Sequence, residues 1–228
     1  MLSRRLKQLA SYVEKEDVLG DIGTDHGYIP IYLLENNVTD KIIASDLNQG
    51  PLDNAKEELS QRGLMKSIDL RLGGGLDPYT PGEINTALIA GMGGTLIRKI
   101  LEAGKEHLPY LKKLILQPMH GVVELRRFLL NNGYRIVDED LIYENNIYYE
   151  IIVAERGEVQ TYNHINLEFG FFMLEKNPKL SKDYVGLKLE KLQEIVDNIT
   201  KHGSSASQEK VKELRESIEA YKEVIECL

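Results

Sequence analysis

Residues 18–27, Val-Leu-Gly-Asp-Ile-Gly-Thr-Asp-His-Gly, carry a short apolar strand straight into a glycine-punctuated acidic turn. A helix over 28–34 follows, and then a second strand over 41–45 that stops on Asp46. Strand, Gly-rich turn, helix and a second strand closing on a carboxylate open a nucleotide-binding α/β domain. Gly23 and Gly27 reach backbone angles that side chains forbid, so the turn can approach a ligand closely. Asp46 stands where a ribose hydroxyl pair is bound in such domains. An adenosine-containing cofactor is therefore expected.

The 228 residues suffice for one large domain, or for a core domain with an appendage. No apolar run approaches the roughly 18–20 residues that span a bilayer, and the first residues lack the apolar stretch of a signal peptide. Cys227 is the single cysteine and has no internal disulfide partner, which fits a reducing cytoplasmic location. A net charge of −8 weighs against nucleic acid as a partner. The charge is uneven, however. Arg4, Arg5 and Lys7 cluster on a leading helix expected over 2–13, and Arg126 and Arg127 sit together on another, so a local basic face remains available to RNA.

Beyond Asp46 the pattern alternates. A helix is expected over 50–63, with Leu52, Ala55 and Leu59 on one face, then a period-2 strand over 68–72 that ends in Gly73-Gly74-Gly75. The continuous apolar strand over 86–90 ends in Gly91-Met92-Gly93-Gly94. A helix over 97–108, a strand over 113–117 capped by Pro118, and a helix over 122–132 complete the alternation. Buried-type strands separated by helices predict a mostly parallel sheet covered on both faces. Two further strand-like runs, 134–143 and 148–155, have only four residues between them, too few for a parallel crossover, and read as a hairpin. An α/β sheet that finishes this way resembles the Rossmann-like, seven-stranded core of S-adenosylmethionine-dependent methyltransferases, whose last strand is antiparallel.

A boundary is expected near Gly157, giving a cofactor domain over 1–157 and a helical domain over 158–228. In the latter, Val185, Leu189, Leu192, Val196 and Ile199 form one heptad-like seam. Val211, Leu214, Ile218, Tyr221, Ile225 and Leu228 form a second, and Gly203-Ser-Ser-Ala-Ser lies between them. Two such seams joined by a short loop predict an antiparallel coiled-coil hairpin with arms of about 30 Å.

Within a methyltransferase reading the loops acquire roles. Asp21 can accept from the ammonium group of the cofactor's amino acid, while Gly23, Thr24 and Gly27 let the backbone pass close. Asp46 suits a bidentate, charge-assisted bond to the ribose, and Leu47 suits the adenine face. Gly73 and Gly74 close the third strand. Methyltransferases often place an acid there for the adenine amino group, so at Gly74 that edge falls to backbone, water or Asp77. Gly91, Met92 and Gly93 line the mouth where a methyl group is delivered. The Asn/Asp-Pro-Pro-Tyr/Phe motif of enzymes acting on exocyclic amines is missing there. Asp25, His26 and Tyr28 share the first turn and could border a substrate. No Cys/His set has metal spacing, and no Ser/His/Asp arrangement is recognisable.

The motifs Asp21-Ile-Gly-Thr-Asp-His-Gly-Tyr-Ile-Pro30, Ala90-Gly-Met-Gly-Gly94, Leu114-Ile-Leu-Gln-Pro118 and Tyr149-Glu-Ile-Ile-Val-Ala154, followed by a helical tail, resemble the bacterial tRNA (adenine-22, N1) methyltransferase family over essentially the whole chain. The resemblance implies a methyltransferase core that uses S-adenosylmethionine, a C-terminal coiled-coil domain, and methylation at N1 of an adenine in the D-loop region of tRNA. It assigns Asp21, Gly23, Asp46 and the 91–94 loop to the cofactor, and Asp25, His26 and Tyr28 to the border of the target base. A cytoplasmic monomer that uses no metal is expected. Two rival readings remain: a methyltransferase of a small molecule or protein, and a non-catalytic scaffold that binds partners through its coiled coil.

Overall fold

The computed structural model describes residues 2–202 and 208–228. The chain divides into two compact units, Met1–Asn163 and His164–Leu228. The first begins with helix α1 (Arg4–Ala10), then β1 (Leu19–Ile22), α2 (Tyr28–Glu35), β2 (Ile42–Asp46), α3 (Gln49–Gln61) and β3 (Asp69–Leu72). It continues through β4 (Thr86–Met92), α4 (Gly94–Ala103), β5 (Lys113–Pro118), α5 (Val122–Asn131), β6 (Tyr134–Glu144) and β7 (Ile147–Arg156).

These strands form one seven-stranded sheet in the order β3-β2-β1-β4-β5-β7-β6. The pairs from β3 to β5 are parallel, and β7 inserts antiparallel between β5 and β6. The architecture is the Rossmann-like methyltransferase fold expected from the alternation and the terminal hairpin. β1, the first four residues of β4 and all of β5 are buried, as their mostly apolar sequences require of strands covered on both faces. Strand order reverses between β1 and β4, so a crevice opens at the carboxyl ends of these strands.

One face of the sheet is closed by α1 and α2, whose Leu9 and Leu33 join Leu88, Ile115 and Ile151 in the core. Each such side chain contributes about 1.5–3 kcal/mol when fully buried. α1 is shorter than its apolar spacing predicts. Ser3 caps it by accepting from the Leu6 N–H at 3.2 Å, and it ends at Ser11.

Helix α4 also differs from expectation: it runs from Gly94 to Ala103 rather than over 97–108. β4 extends to Met92 through an irregularity at 90–92, so the helix starts directly after the glycine loop. The Gly94 N–H donates to the His120 carbonyl at 2.7 Å, and a Cβ on Gly94 would lie 2.4 Å from the Gly121 oxygen. Only glycine fits this approach of two backbones. At the other end, Leu76 packs against Gly104, which stops the helix.

The second unit holds α6 (His164–Phe169), α7 (Met173–Lys176), α8 (Pro178–His202) and α9 (Gln208–Cys227). α8 and α9 pack on each other, and every described residue of the two seams is buried or half-buried while the acids and bases between them face outward, apart from half-buried Lys188. The Phe169 ring meets Tyr221 edge-on at 4.6 Å. The connecting loop, 203–207, lies outside the described residues.

Candidate functional site

The crevice at the strand ends is a cleft of about 800 Å³. From the carboxyl end of β1 come Asp21, Gly23, Thr24 and Asp25; from β2, Asp46 and Leu47; from the loop after β3, Gly73 and Gly74; and from β4, Gly91 and Met92. Tyr28 adds the first turn of α2. The cleft thus gathers these eleven residues singled out in the sequence, and Asp77 with them. His26, Gly27 and Gly93 stand just outside it. The His26 ring stacks on Tyr28 at 5.1 Å with its Nε2 3.7 Å from the Asp25 carboxylate. Gly27, in the left-handed region, caps α2, and Gly93 lies under the His120 ring.

The turn itself is held by backbone. The N–H groups of Gly23 and Thr24 both donate to the Ser45 carbonyl, at 2.8 and 2.9 Å, and fasten the end of β1 to β2. Gly23 (φ 78°) and Asp25 (φ 52°) are both left-handed. Glycine takes that conformation freely; for Asp25 it is uncommon and concentrates strain in the turn. The Asp25 N–H points at the Asp46 carboxylate, 3.4 Å away, and the other Asp46 oxygen accepts from the Asn48 N–H at 2.9 Å. Asp46 is thereby oriented toward the cleft by two backbone groups.

Asp21 is fully enclosed and accepts from the Thr24 hydroxyl at 2.6 Å. Burial pushes its carboxyl up to about 6; the Thr24 bond pulls the other way, and the negative charge of Asp46 adds to the rise. A carboxyl whose proton affinity is raised in the folded state contributes stability that is complete below its ordinary value near 4 and is lost as pH rises through about 6. Without a bound cation, ionised Asp21 costs roughly 3 kcal/mol at neutral pH. Asp21→Asn is accordingly expected to stabilise the protein at pH 7.5 and to flatten the decline between pH 4 and 6.5. Urea unfolding across that range checks both.

Tyr79, Lys99 and Ile100 carry no sequence signal, and Arg5 is marked there only as part of the basic cluster on the leading helix. The Tyr79 hydroxyl, buried, lies 2.9 Å from Ser45 Oγ and reaches the Asp21 carbonyl at 3.4 Å, so it ties β1 to β2 behind the cleft. Burial raises its hydroxyl pKa well above the ordinary range. Arg5 of α1 lines the cleft mouth, donates to Gln117 Oε1 at the end of β5 and lies 4.9 Å over the Tyr149 ring. No ion pair engages it among the described residues. Lys99 and Ile100 enter from α4, the latter packing on Gly75.

The expected basic pairing of Arg126 and Arg127 is corrected. Arg126 is wholly buried, with Nε 2.8 Å from Glu139 and Nη2 2.7 Å from Glu150, and serves the core rather than a surface. Arg127 alone is exposed. Among the described residues no three metal-binding side chains converge, and no helix is long and apolar enough to cross a membrane.

Comparison with known proteins gives a consistent picture. The family model described as TrmK, tRNA (adenine(22)-N(1))-methyltransferase, matches residues 19–223. A Bacillus subtilis protein of that description is 37% identical over 232 residues, spanning 99% of this chain and 97% of its own. The Streptococcus pneumoniae protein Sp1610, solved with S-adenosyl-L-methionine, superposes with a TM-score of 0.88 at 33% identity, covering 99% of this chain and 100% of that one. Mycoplasma capricolum TrmK, solved with S-adenosyl-homocysteine, does so with a TM-score of 0.86 at 29% identity, with 99% of each chain covered. The chain belongs to the tRNA (adenine(22)-N(1))-methyltransferase family.

Proposed function

We propose that this protein transfers a methyl group from S-adenosyl-L-methionine to N1 of adenine 22 in the D-loop region of tRNA. The observation that carries the reading is the acidic cleft at the β1/β4 switch point of a chain belonging to this family. Its residues fit the donor. Asp21, buried and short of positive charge, suits an ammonium group; Asp46, held by two backbone N–H groups at a strand end, suits the ribose. Leu47, Gly74 and Ile100 form an apolar slot for a purine ring, and Gly91 and Met92 border the reacting end.

When bound, the donor supplies a methyl group on a sulfonium, and the in-plane lone pair of adenine N1 takes it, leaving a thioether and a cationic base. No general base is required, because that nitrogen carries no proton. The chain's task is alignment, which can be worth roughly 7–11 kcal/mol. N1 lies on the pairing edge, so the base must be unpaired or extruded to be reached. Tyr28, half-exposed and backed by the His26 ring, offers a flat surface to hold it. The Asp25 carboxylate faces the charge that develops on the base.

Asp25→Asn is expected to lower turnover roughly ten-fold, less than the 10²–10³ typical of a fully buried group, while cofactor affinity stays within two-fold. Equal losses in both would assign Asp25 to the cofactor instead. A monomer acting in the cytoplasm, where tRNA is found, completes the reading. The deciding experiment incubates the protein with unmodified tRNA and labelled cofactor and identifies the nucleoside by mass spectrometry. N1-methyladenosine at position 22 supports the reading; no labelled RNA, or another nucleoside, overturns it.

A further inference from the structure

Beside the reaction cleft lies a second hollow of about 580 Å³, between α1, α2 and α3. Leu6 and Tyr28 line both cavities, so a single layer of side chains separates them. Tyr32 sits one turn after Tyr28 on α2 and lines only the second hollow. Its ring is half-exposed, and no hydrogen bond engages its hydroxyl among the described residues. The aromatic pair Tyr28 and Tyr32 therefore runs as one track out of the cleft and along the neighbouring cavity.

The polar end of the hollow limits what it can hold. Among the described residues Arg62 is its only cation, and that guanidinium is already taken: its Nε lies 3.2 Å from Glu35, and its Nη1 donates to the Glu58 carboxylate and to the Glu58 carbonyl at 2.9 Å. Two carboxylates against one guanidinium leave this end negative, which repels a phosphate. The same carboxylates keep acceptor positions free for N–H donors. A flat, neutral ring with an exocyclic amino group matches the site: aromatic stacking along one wall, acceptors at the far end.

The cation that could bind a phosphate stands instead at the partition. Arg5 lies next to Leu6 on α1, lines the reaction cleft and has no carboxylate partner among the described residues. We infer that the second hollow is a subsite for the nucleobase adjacent to the methylated adenine, stacked on Tyr32, with Arg5 bound to the phosphodiester between the two nucleotides. The inference deepens the RNA reading above and rests on it. Guanine, adenine or cytosine is favoured in the subsite over uracil, because only those three offer an amino group to Glu35 and Glu58.

The test uses the full chain with S-adenosyl-homocysteine and two unmodified tRNAs, carrying 2-aminopurine on the 5′ or on the 3′ side of the target adenine. Stacking on Tyr32 quenches one of the two probes on binding. Tyr32→Ala abolishes the quench and raises the KM for tRNA on the order of ten-fold, while kcat and the Kd for S-adenosylmethionine stay within two-fold. Tyr32→Phe keeps the ring and restores the wild-type quench and KM, which separates loss of stacking from loss of fold. The proposal is overturned if neither probe responds while unlabelled tRNA is methylated, or if Tyr32→Ala leaves quench and KM unchanged. Failure to methylate unlabelled tRNA removes instead the reading beneath it.

Discussion

Asp46→Ala is expected to weaken S-adenosylmethionine binding a hundred-fold or more. Two hydrogen bonds to an ionised oxygen pair are lost, each worth about 1.5–3 kcal/mol, and a hundred-fold is about 2.7 kcal/mol. The carboxylate is already set in place by the N–H groups of Asp25 and Asn48, so the ligand does not have to order it. That pre-organisation is why the loss falls on affinity rather than on folding. Calorimetry measures it directly. A Kd within three-fold of wild type would mean that the ribose is held elsewhere and would remove Asp46 from the site. Asp46→Asn separates charge from shape: it keeps one acceptor and should recover part of the affinity.

The largest effect on stability is expected at Arg126. Its guanidinium is fully buried between Glu139 and Glu150, joining α5 to both strands of the β6–β7 hairpin. Arg126→Ala leaves two carboxylates in the interior without their cation, a change that typically costs about 3–5 kcal/mol. Urea unfolding should show a loss of that size, with cofactor affinity unchanged in the protein that remains folded. Replacing all three charged residues with apolar ones of similar volume should recover most of the loss, because desolvation offsets much of what a buried network contributes. A loss below 1 kcal/mol for Arg126→Ala would show that water reaches the site.

The strands were legible because burial on both faces demands mostly apolar stretches, and 18–22, 42–46, 86–90 and 113–117 are such stretches, their polar residues lying mainly at the ends. The hairpin was legible because four residues cannot make a crossover. The place of Asp21, Gly23 and Asp46 at the cleft was legible for a related reason: the chain presents them at strand ends, where the crevice opens. Non-local contacts were not. The start of α4 depends on Gly94 meeting the backbone at Gly121, which nothing near residue 94 announces. Tyr79 reads as a loop aromatic until the fold sets it behind Asp21 and Ser45. Arg126 and Arg127 look alike in sequence, and a turn of 100° about the helix axis sends one into the core and the other to water. Arg5 belongs to the leading helix, and only the packing of α1 against the sheet brings it to the cleft.

Leu47 is 70% exposed, with a methyl group 3.2 Å from where a Cβ on Gly74 would stand. Oily surface of this kind gains from being covered, whatever the ionic strength, whereas attractions to Asp21 and Asp46 fade as added ions screen them. With the donor seated as proposed, its grip would be of two kinds: one half answering to salt, and the other only to the displacement of water from a leucine.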